Sequence, residues 1–263
     1  MRRRARLLCA GMMLLSGFLF LGGVPGSLRT ARAQAKSADD SQIESEVHKT
    51  LDNKRYQNVT VVVQNGGAIL SGTVNDYADK EEADKRVHHV KGIKGVDNEI
   101  AVSGPQIGDE QLRDQLAKKL STYTVGYGTT AFTALKIGVQ NGVVSLSGNV
   151  YWPPDRDAAL SIVANTPGVK DVIDDIQVAP VSPMDDELRL RLARAIYGTP
   201  QLQRYAIDPA KPIRINVVNG NVELEGVVDS KMDRDVAGIK ANSVPGVFKV
   251  VNNLQVAGPE SGK

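Results

Sequence analysis

The same ten-residue phrase occurs three times in this chain: NGGAILSGTV at 65–74, NGVVSLSGNV at 141–150 and NGNVELEGVV at 219–228. Asn65, Asn141 and Asn219 stand 76 and 78 residues apart, and Gly72, Gly148 and Gly226 keep the same two intervals. Gly92, Gly168 and Gly246 repeat them again, opening GIKGVDNEIAV, GVKDVIDDIQV and GVFKVVNNLQV. Three landmarks on one offset make an internal triplication, so the chain must fold as one unit of about 65–75 residues built three times.

Each copy starts with an acid followed by apolar residues four apart: Asp40 before Ile43, Val47 and Leu51; Asp109 before Leu112, Leu116 and Leu120; Asp185 before Leu188, Leu192 and Ile196. The acid is expected to cap the first turn of a helix, and the spacing lays one apolar stripe along it. Alternation follows at Val59, Val61, Val63, at Leu135, Ile137, Val139 and at Ile213, Ile215, Val217. Period two means a strand with one buried face. Asn65-Gly66, Asn141-Gly142 and Asn219-Gly220 tolerate the positive φ of a tight hairpin turn. The returning strand keeps period two and places Gly72, Gly148 and Gly226 inward, where a missing side chain is expected to let a helix pack close. A second helix is expected near 76–90, 154–166 and 230–244, and a third alternating strand closes each copy.

The expected fold is therefore α+β: three tandem α-β-β-α-β domains at 38–102, 108–178 and 184–256, each with two helices packed on a three-stranded mixed sheet. Proline-bearing linkers, SGPQI and APVSP, join them, and the tail 257–263 is expected to be disordered.

The N-terminus carries Arg2, Arg3, Arg4 and Arg6, an apolar run from Leu7 to Val24, and small-x-small sites ending at Ala33 and Ala35. This order reads as a signal peptide over residues 1–35, cleaved near Ala33 or Ala35. An uncleaved membrane anchor is the alternative, since about 18 mostly apolar residues just span a bilayer. Cys9 precedes the apolar run instead of closing it, which argues against lipid modification. Six of the 32 basic residues lie in the first 35 positions with no acid, leaving 26 basic against 30 acidic side chains in the remainder. The basic surplus thus belongs to the export signal, and nucleic acid is not an expected partner. Cleavage also removes Cys9, the only cysteine, and with it any disulfide or thiolate chemistry.

The helix-strand-strand-helix-strand order, the Asn-Gly hairpin, the Leu-x-Gly strand and the closing GV..V.N.L.V strand resemble the BON domain family of OsmY-like periplasmic proteins. The resemblance covers the chain after the signal segment as three copies. It implies a periplasmic, non-enzymatic module that binds phospholipid surfaces or other envelope proteins and serves under osmotic stress. Copy two departs by writing Asp174 where its siblings have asparagine. Copies two and three carry longer inserts after the first helix, STYTVGYGTTAFTA and GTPQLQRYAIDPAKP.

Candidate chemistry is sparse. His48, His88 and His89 suit solvated helix faces, and Asp174 and Asp175 alternate across a strand and so face opposite ways. With no phosphate loop, nucleophile elbow or metal cluster in the sequence, no catalytic residue, metal, cofactor or small-molecule substrate is expected. Tyr151 and Trp152, in the stretch YWPP between a strand and the second helix, suit a membrane interface; packing over their own or the next domain is the rival reading. The copies carry net charges of −4, −2 and +1 in order. In the third, Arg189, Arg191, Arg194, Arg204, Lys211 and Arg214 cluster before the hairpin, and the five other than Arg189 are the candidate lipid contacts. Each basic residue near anionic headgroups is worth about 1 kcal/mol, so these five with Tyr151 and Trp152 form the expected lipid contact, against an ordinary solvated helix face. The expected function is peripheral binding of phospholipid membrane surfaces in support of the envelope under stress. A periplasmic chaperone or scaffold of an envelope or secretion complex is the alternative.

Overall fold

Four-residue apolar spacing builds the first helix of each copy and buries it on a sheet. The computed structural model describes residues 38–122, 129–208 and 212–258. The expected signal segment, Lys211 and residues 259–263 of the expected disordered tail lie outside the described residues. The three domains lie within one compact unit, Lys36–Lys263.

Domain 1 runs α1 (Ala38–Thr50), a 3₁₀ turn (Lys54–Tyr56), β1 (Val59–Gln64), β2 (Gly67–Val74), α2 (Tyr77–His88), β3 (Gly95–Asn98) and β4 (Ala101–Val102). Domain 2 runs α3 (Asp109–Thr122), α4 (Thr129–Phe132), β5 (Ala134–Gln140), β6 (Val143–Val150), α5 (Pro153–Ala164) and β7 (Asp171–Val178). Domain 3 runs α6 (Pro183–Tyr197), α7 (Arg204–Ile207), β8 (Arg214–Val218), β9 (Asn221–Glu225), β10 (Val227–Val228), α8 (Lys231–Asn242), β11 (Lys249–Asn252) and β12 (Gln255–Val256). In every domain the second strand is central, antiparallel to the first and parallel to the third, as in Val61↔Leu70 and Leu70↔Asn98. The expected α+β class with mixed three-stranded sheets holds, and the inserts contribute the short helices α4 and α7.

The alternating residues face one apolar core per domain. In domain 1, Val61, Val63 and Leu70 meet Val47, Ala83 and Val87, all essentially without solvent contact. Among the described residues, buried side chains cross to a neighbour. Tyr77 of α2 sits in the core of domain 2, and Phe132 of α4 sits in the core of domain 3. Cores this small gain from such sharing, because a unit of this size buries a modest fraction of its surface alone.

Two local expectations need correction. Asp40, Asp109 and Asp185 lie in the first turn of their helices but do not cap them; α6 is capped by Ser182, whose hydroxyl accepts from the Asp185 amide at 3.2 Å. Their carboxylates instead reach the hairpin. Asp40 accepts from the amides of Asn65 and Gly66 (3.0 and 2.9 Å), Asp109 from Asn141 and Gly142 (2.7 and 2.9 Å), and Asp185 from Asn219 and Gly220 (2.8 and 2.9 Å). The asparagines hold φ of +51°, +54° and +51°, as the turn requires. A charged acceptor for two backbone donors of the turn is among the stronger hydrogen-bonding arrangements available.

The second correction concerns Gly72, Gly148 and Gly226. Their φ values are +105°, +102° and +130°. A Cβ at these positions would overlap the carbonyl oxygens of Asn58, Ala134 and Pro212, where the first strand begins. The backbone of the adjacent strand, not a helix, excludes the side chain.

Candidate functional site

Copies that share a skeleton can be compared atom by atom, and their differences mark what each domain does with it. In domains 1 and 3 the third strand is interrupted after Asn98 and Asn252. Each amide donates to a carbonyl of the second helix, Asn98 to Lys80 at 2.9 Å and Asn252 to Arg234 at 2.7 Å, and each accepts from an amide two residues on. An aspartate cannot donate. In domain 2 Asp174 accepts from Ile176 at 3.1 Å and takes an ion pair from Arg156 on the second helix instead, and β7 runs unbroken. Asp175 points to the other side and is exposed. The departure at Asp174 is thus a structural exchange, and the two carboxylates do not meet.

The loop after the first helix repeats an Arg-Tyr pair in domains 1 and 3. In domain 3 the Tyr205 hydroxyl donates to Asp233 at 2.9 Å and accepts from the Asp229 amide at 2.7 Å, while Arg204 lies over the Tyr205 ring and pairs with both Asp229 and Asp233. Burial pushes the Asp233 carboxyl up, but hydrogen bonds from Tyr205 and Ser230 and the Arg204 charge outweigh it and hold Asp233 below the usual range. A lowered folded value contributes stability above the ordinary pKa of about 4 that fades as pH falls through it. Tyr205→Phe removes a buried donor and acceptor. It is expected to cost domain 3 about 1–3 kcal/mol, read as a lower thermal midpoint at pH 7.

The expected lipid residues separate under this geometry. Arg204 is committed to its two carboxylates. Arg214 donates to the Thr133 carbonyl of domain 2. Tyr151 packs on the core of domain 3, with its ring 4.8 Å from the Arg189 guanidinium and 6.0 Å from the Phe132 ring. Arg214 and Tyr151 therefore hold domains 2 and 3 together, along with a Lys136–Glu225 ion pair at 2.7 Å, while Arg204 braces domain 3 internally. Arg189 itself is buried, bonded to Asp186 and to the Val217 carbonyl at 2.6 Å.

Trp152, Arg191 and Arg194 differ. Trp152 follows Tyr151 out of the joint, its ring centroid 5.8 Å away, and is 55% exposed. Arg191 and Arg194 lie on the outer face of α6 and hold no ion pair among the described residues. The same face exposes Met184 (82%) and Leu190 (52%), with Glu187 as its acid. On the far flank Arg191 reaches over Gly246, beside Phe248, which is 83% exposed. Phe248 donates its amide to Gly220 O, as Lys94 does to Gly66 O and Lys170 to Gly142 O. Phenylalanine thus stands in domain 3 where both siblings place lysine. Met184, Leu190 and Phe248 escaped the sequence reading; the aligned lysines at 94 and 170 were the available signal for Phe248. The outer face of α6, flanked by Trp152 and Phe248, is an apolar surface with two uncommitted guanidiniums.

His88 accepts or donates through Nδ1 near Asp84 (3.3 Å to the carboxylate), and both His88 and His89 sit at the exposed end of α2. Among the described residues no group of three or more potential ligands is placed to hold a metal ion, and no described helix is long and apolar enough to cross a membrane.

Comparison with known proteins agrees with the repeat. The BON domain family matches residues 39–104, 108–180 and 185–258. The Osmotically-inducible protein Y of Escherichia coli (strain K12) is 29% identical over 149 residues, 53% of this chain and 72% of that protein. An uncharacterized protein in the gshII 5' region of Anaplasma centrale is 25% identical over 138 residues, 51% of this chain and 91% of that one. Among solved structures, CdsD, a structural protein of the type III secretion system of Chlamydia trachomatis, overlays 84% of this chain and 94% of its own at 16% identity, with a TM-score of 0.23. The PrgH periplasmic domain overlays 77% and 96% at 10% identity and a TM-score of 0.21. With matches that span each of the three units, the chain belongs to the BON domain family, as three tandem copies in one polypeptide.

Proposed function

We propose that this protein is a non-catalytic periplasmic component that docks peripherally on anionic phospholipid surfaces through domain 3 and supports the envelope under osmotic stress. The observation that carries the reading is the outer face of α6, where Arg191 and Arg194 are left without carboxylate partners beside exposed Met184, Leu190, Trp152 and Phe248. Guanidiniums held at a surface attract anionic headgroups at about 1 kcal/mol each. Apolar rings and thioethers next to them enter the interface, where an amphipathic helix lies flat. Arg204, Arg214 and Tyr151, engaged in ion pairs and the domain joint, serve this surface by holding it rigid rather than by touching lipid. The resemblance of this chain to an osmotically inducible protein supports the stress context.

The test is co-sedimentation of residues 36–263 with phosphatidylglycerol-containing and pure phosphatidylcholine vesicles. Binding is expected to the anionic vesicles alone and to weaken with salt. The double variant Arg191→Glu/Arg194→Glu is expected to reduce it by at least about tenfold, since it removes two attractions and adds two repulsions. Equal binding by the wild type and this variant would remove α6 from the contact. Suppression of client-protein aggregation without vesicle binding would favour the chaperone reading instead.

A further inference from the structure

Domains 2 and 3 meet along their first strands. Strand β5 comes up against β8, α4 lies against β8, and the joint is closed by Phe132 and Tyr151 inserted into domain 3, by the Arg214 bond to Thr133 O and by Lys136–Glu225. A first strand is an edge in each sheet, and an uncovered edge is a template for pairing. In this chain two of the three such edges cover each other.

Domain 1 reaches domain 2 differently. Its contacts include Tyr77, at the start of α2, buried in the core of domain 2, and Val102 of β4 packed against the same core; burial, and then the neighbouring Glu81, raise the Tyr77 hydroxyl above the ordinary range. The Tyr77 contact is made by α2, whose first turn is also tied to the 3₁₀ turn before β1 by the Arg55–Asp79 ion pair at 2.9 Å. Beside β1 and the end of α1 lies a cleft of about 310 Å³, lined by His48, Asp52, Lys54, Tyr56, Val59 and Val61. By the repeat spacing, His48, Val59 and Val61 match Ala193, Ile213 and Ile215 of domain 3. Ile213 and Ile215 are fully buried there, and Ala193 packs against the same cluster that receives Phe132 and Tyr151. The loop differs in the same sense. Tyr205 of domain 3 is bonded to Asp233 and Asp229, whereas the hydroxyl of its counterpart Tyr56 is buried with no hydrogen-bond partner among the described residues.

We infer that the β1 edge of domain 1 is a self-association surface that docks the same edge of a second copy of this chain. The occupant is set by two features. The edge is of the kind that domains 2 and 3 already use to join one another, so continuity with that joint makes another BON first strand the fitting partner. The charges on the rim are self-complementary: Asp52 and Lys54 flank the cleft with opposite signs, and neither holds an ion pair among the described residues. Across a two-fold axis residue i meets j and j meets i, so Asp52 of one copy faces Lys54 of the other, twice. The contact is isologous and closes at two chains; Val62 and Ile69 form an exposed cross-strand pair on the opposite face of the same sheet.

The test is the solution mass of residues 36–263 by light scattering coupled to size exclusion, loaded at about 200 µM, above the micromolar constant expected of a modest, polar-rimmed interface. The wild type is expected to run as a dimer. Asp52→Lys and Lys54→Asp each place like charges opposite each other and are expected to weaken the dimer at least tenfold. The double exchange Asp52→Lys/Lys54→Asp restores the opposition and is expected to recover the dimer. Both residues are at the surface, so circular dichroism should show each variant folded. Arg191→Glu/Arg194→Glu, on domain 3, is expected to leave the mass unchanged. A monomer at this concentration, a dimer indifferent to the single exchanges, or a double exchange no better than the singles overturns the inference.

Discussion

Gly148→Ala is expected to cost domain 2 about 3–5 kcal/mol. Two effects add. An L side chain at φ +102° is strained by about 1–3 kcal/mol. Its Cβ also overlaps the Ala134 carbonyl oxygen, and backbone cannot swing aside as a flexible side chain can; relieving such an overlap costs about 1–3 kcal/mol more. For a domain of this size the loss corresponds to a fall of roughly 15–25 °C in its thermal midpoint. Ser147→Ala, one residue earlier on the same strand, is expected to stay within about 0.5 kcal/mol of wild type. Thermal unfolding followed by circular dichroism decides it. A Gly148→Ala protein that melts with the Ser147→Ala control would show that the strand yields freely and that the glycine is dispensable.

Asp185→Ala is expected to destabilise domain 3 by about 3 kcal/mol. Asp185 is 4% exposed, and its two oxygens are the partners of the Asn219 and Gly220 amides. Truncation leaves two donors at a covered turn without acceptors, each costing about 1–3 kcal/mol. The three copies make the prediction internally graded. Asp40 is buried to the same degree and should behave like Asp185, whereas Asp109 is only partly covered and its bond to Asn141 is solvent-exposed. Water can replace the lost acceptor there, so Asp109→Ala is expected to cost about 1 kcal/mol. Chemical denaturation of the three single variants gives the order. An equal or reversed ranking would mean that the clamp owes its strength to something other than burial of the carboxylate.

These two residues also show how far the chain could be read before its fold was known. Position was legible and partner was not. The Asn-Gly turns and the recurrent glycines stood out because backbone conformations with positive φ leave a local mark. The clamp did not, because Asp40 and Asn65 lie 25 residues apart and their counterparts 32 and 34 apart. An acid before an apolar stripe is the local signature of a helix cap, and nothing local separates that use from a bond to a distant turn. The glycine was assigned a helix neighbour by period alone, and the strand that excludes its side chain is met only when the sheet forms.

The candidate surface was legible to a similar degree. Trp152, Arg191 and Arg194 keep the exposed positions that helix spacing and the loop gave them. Tyr151, Arg204 and Arg214 share the composition that attracted notice, but each has an interior partner from another segment: Arg189, Asp233 and Thr133 in turn. Charge density along a sequence counts residues without showing which have found a counter-charge. Met184 and Leu190 were hidden for the opposite reason, since isolated apolar residues on a helix give no sign of which face they occupy until the buried stripe is fixed.

Trp152 is the only tryptophan in the chain, so its emission reports on one place beside α6. The most direct measurement is its fluorescence as residues 36–263 are titrated with vesicles, anionic in one series and zwitterionic in the other, at low and at high salt. If domain 3 docks through this face, the emission maximum shifts to the blue with anionic vesicles at low salt, returns as salt rises, and stays unmoved in the Arg191→Glu/Arg194→Glu variant and with zwitterionic vesicles. An emission spectrum unchanged by anionic vesicles at low salt contradicts the proposed contact.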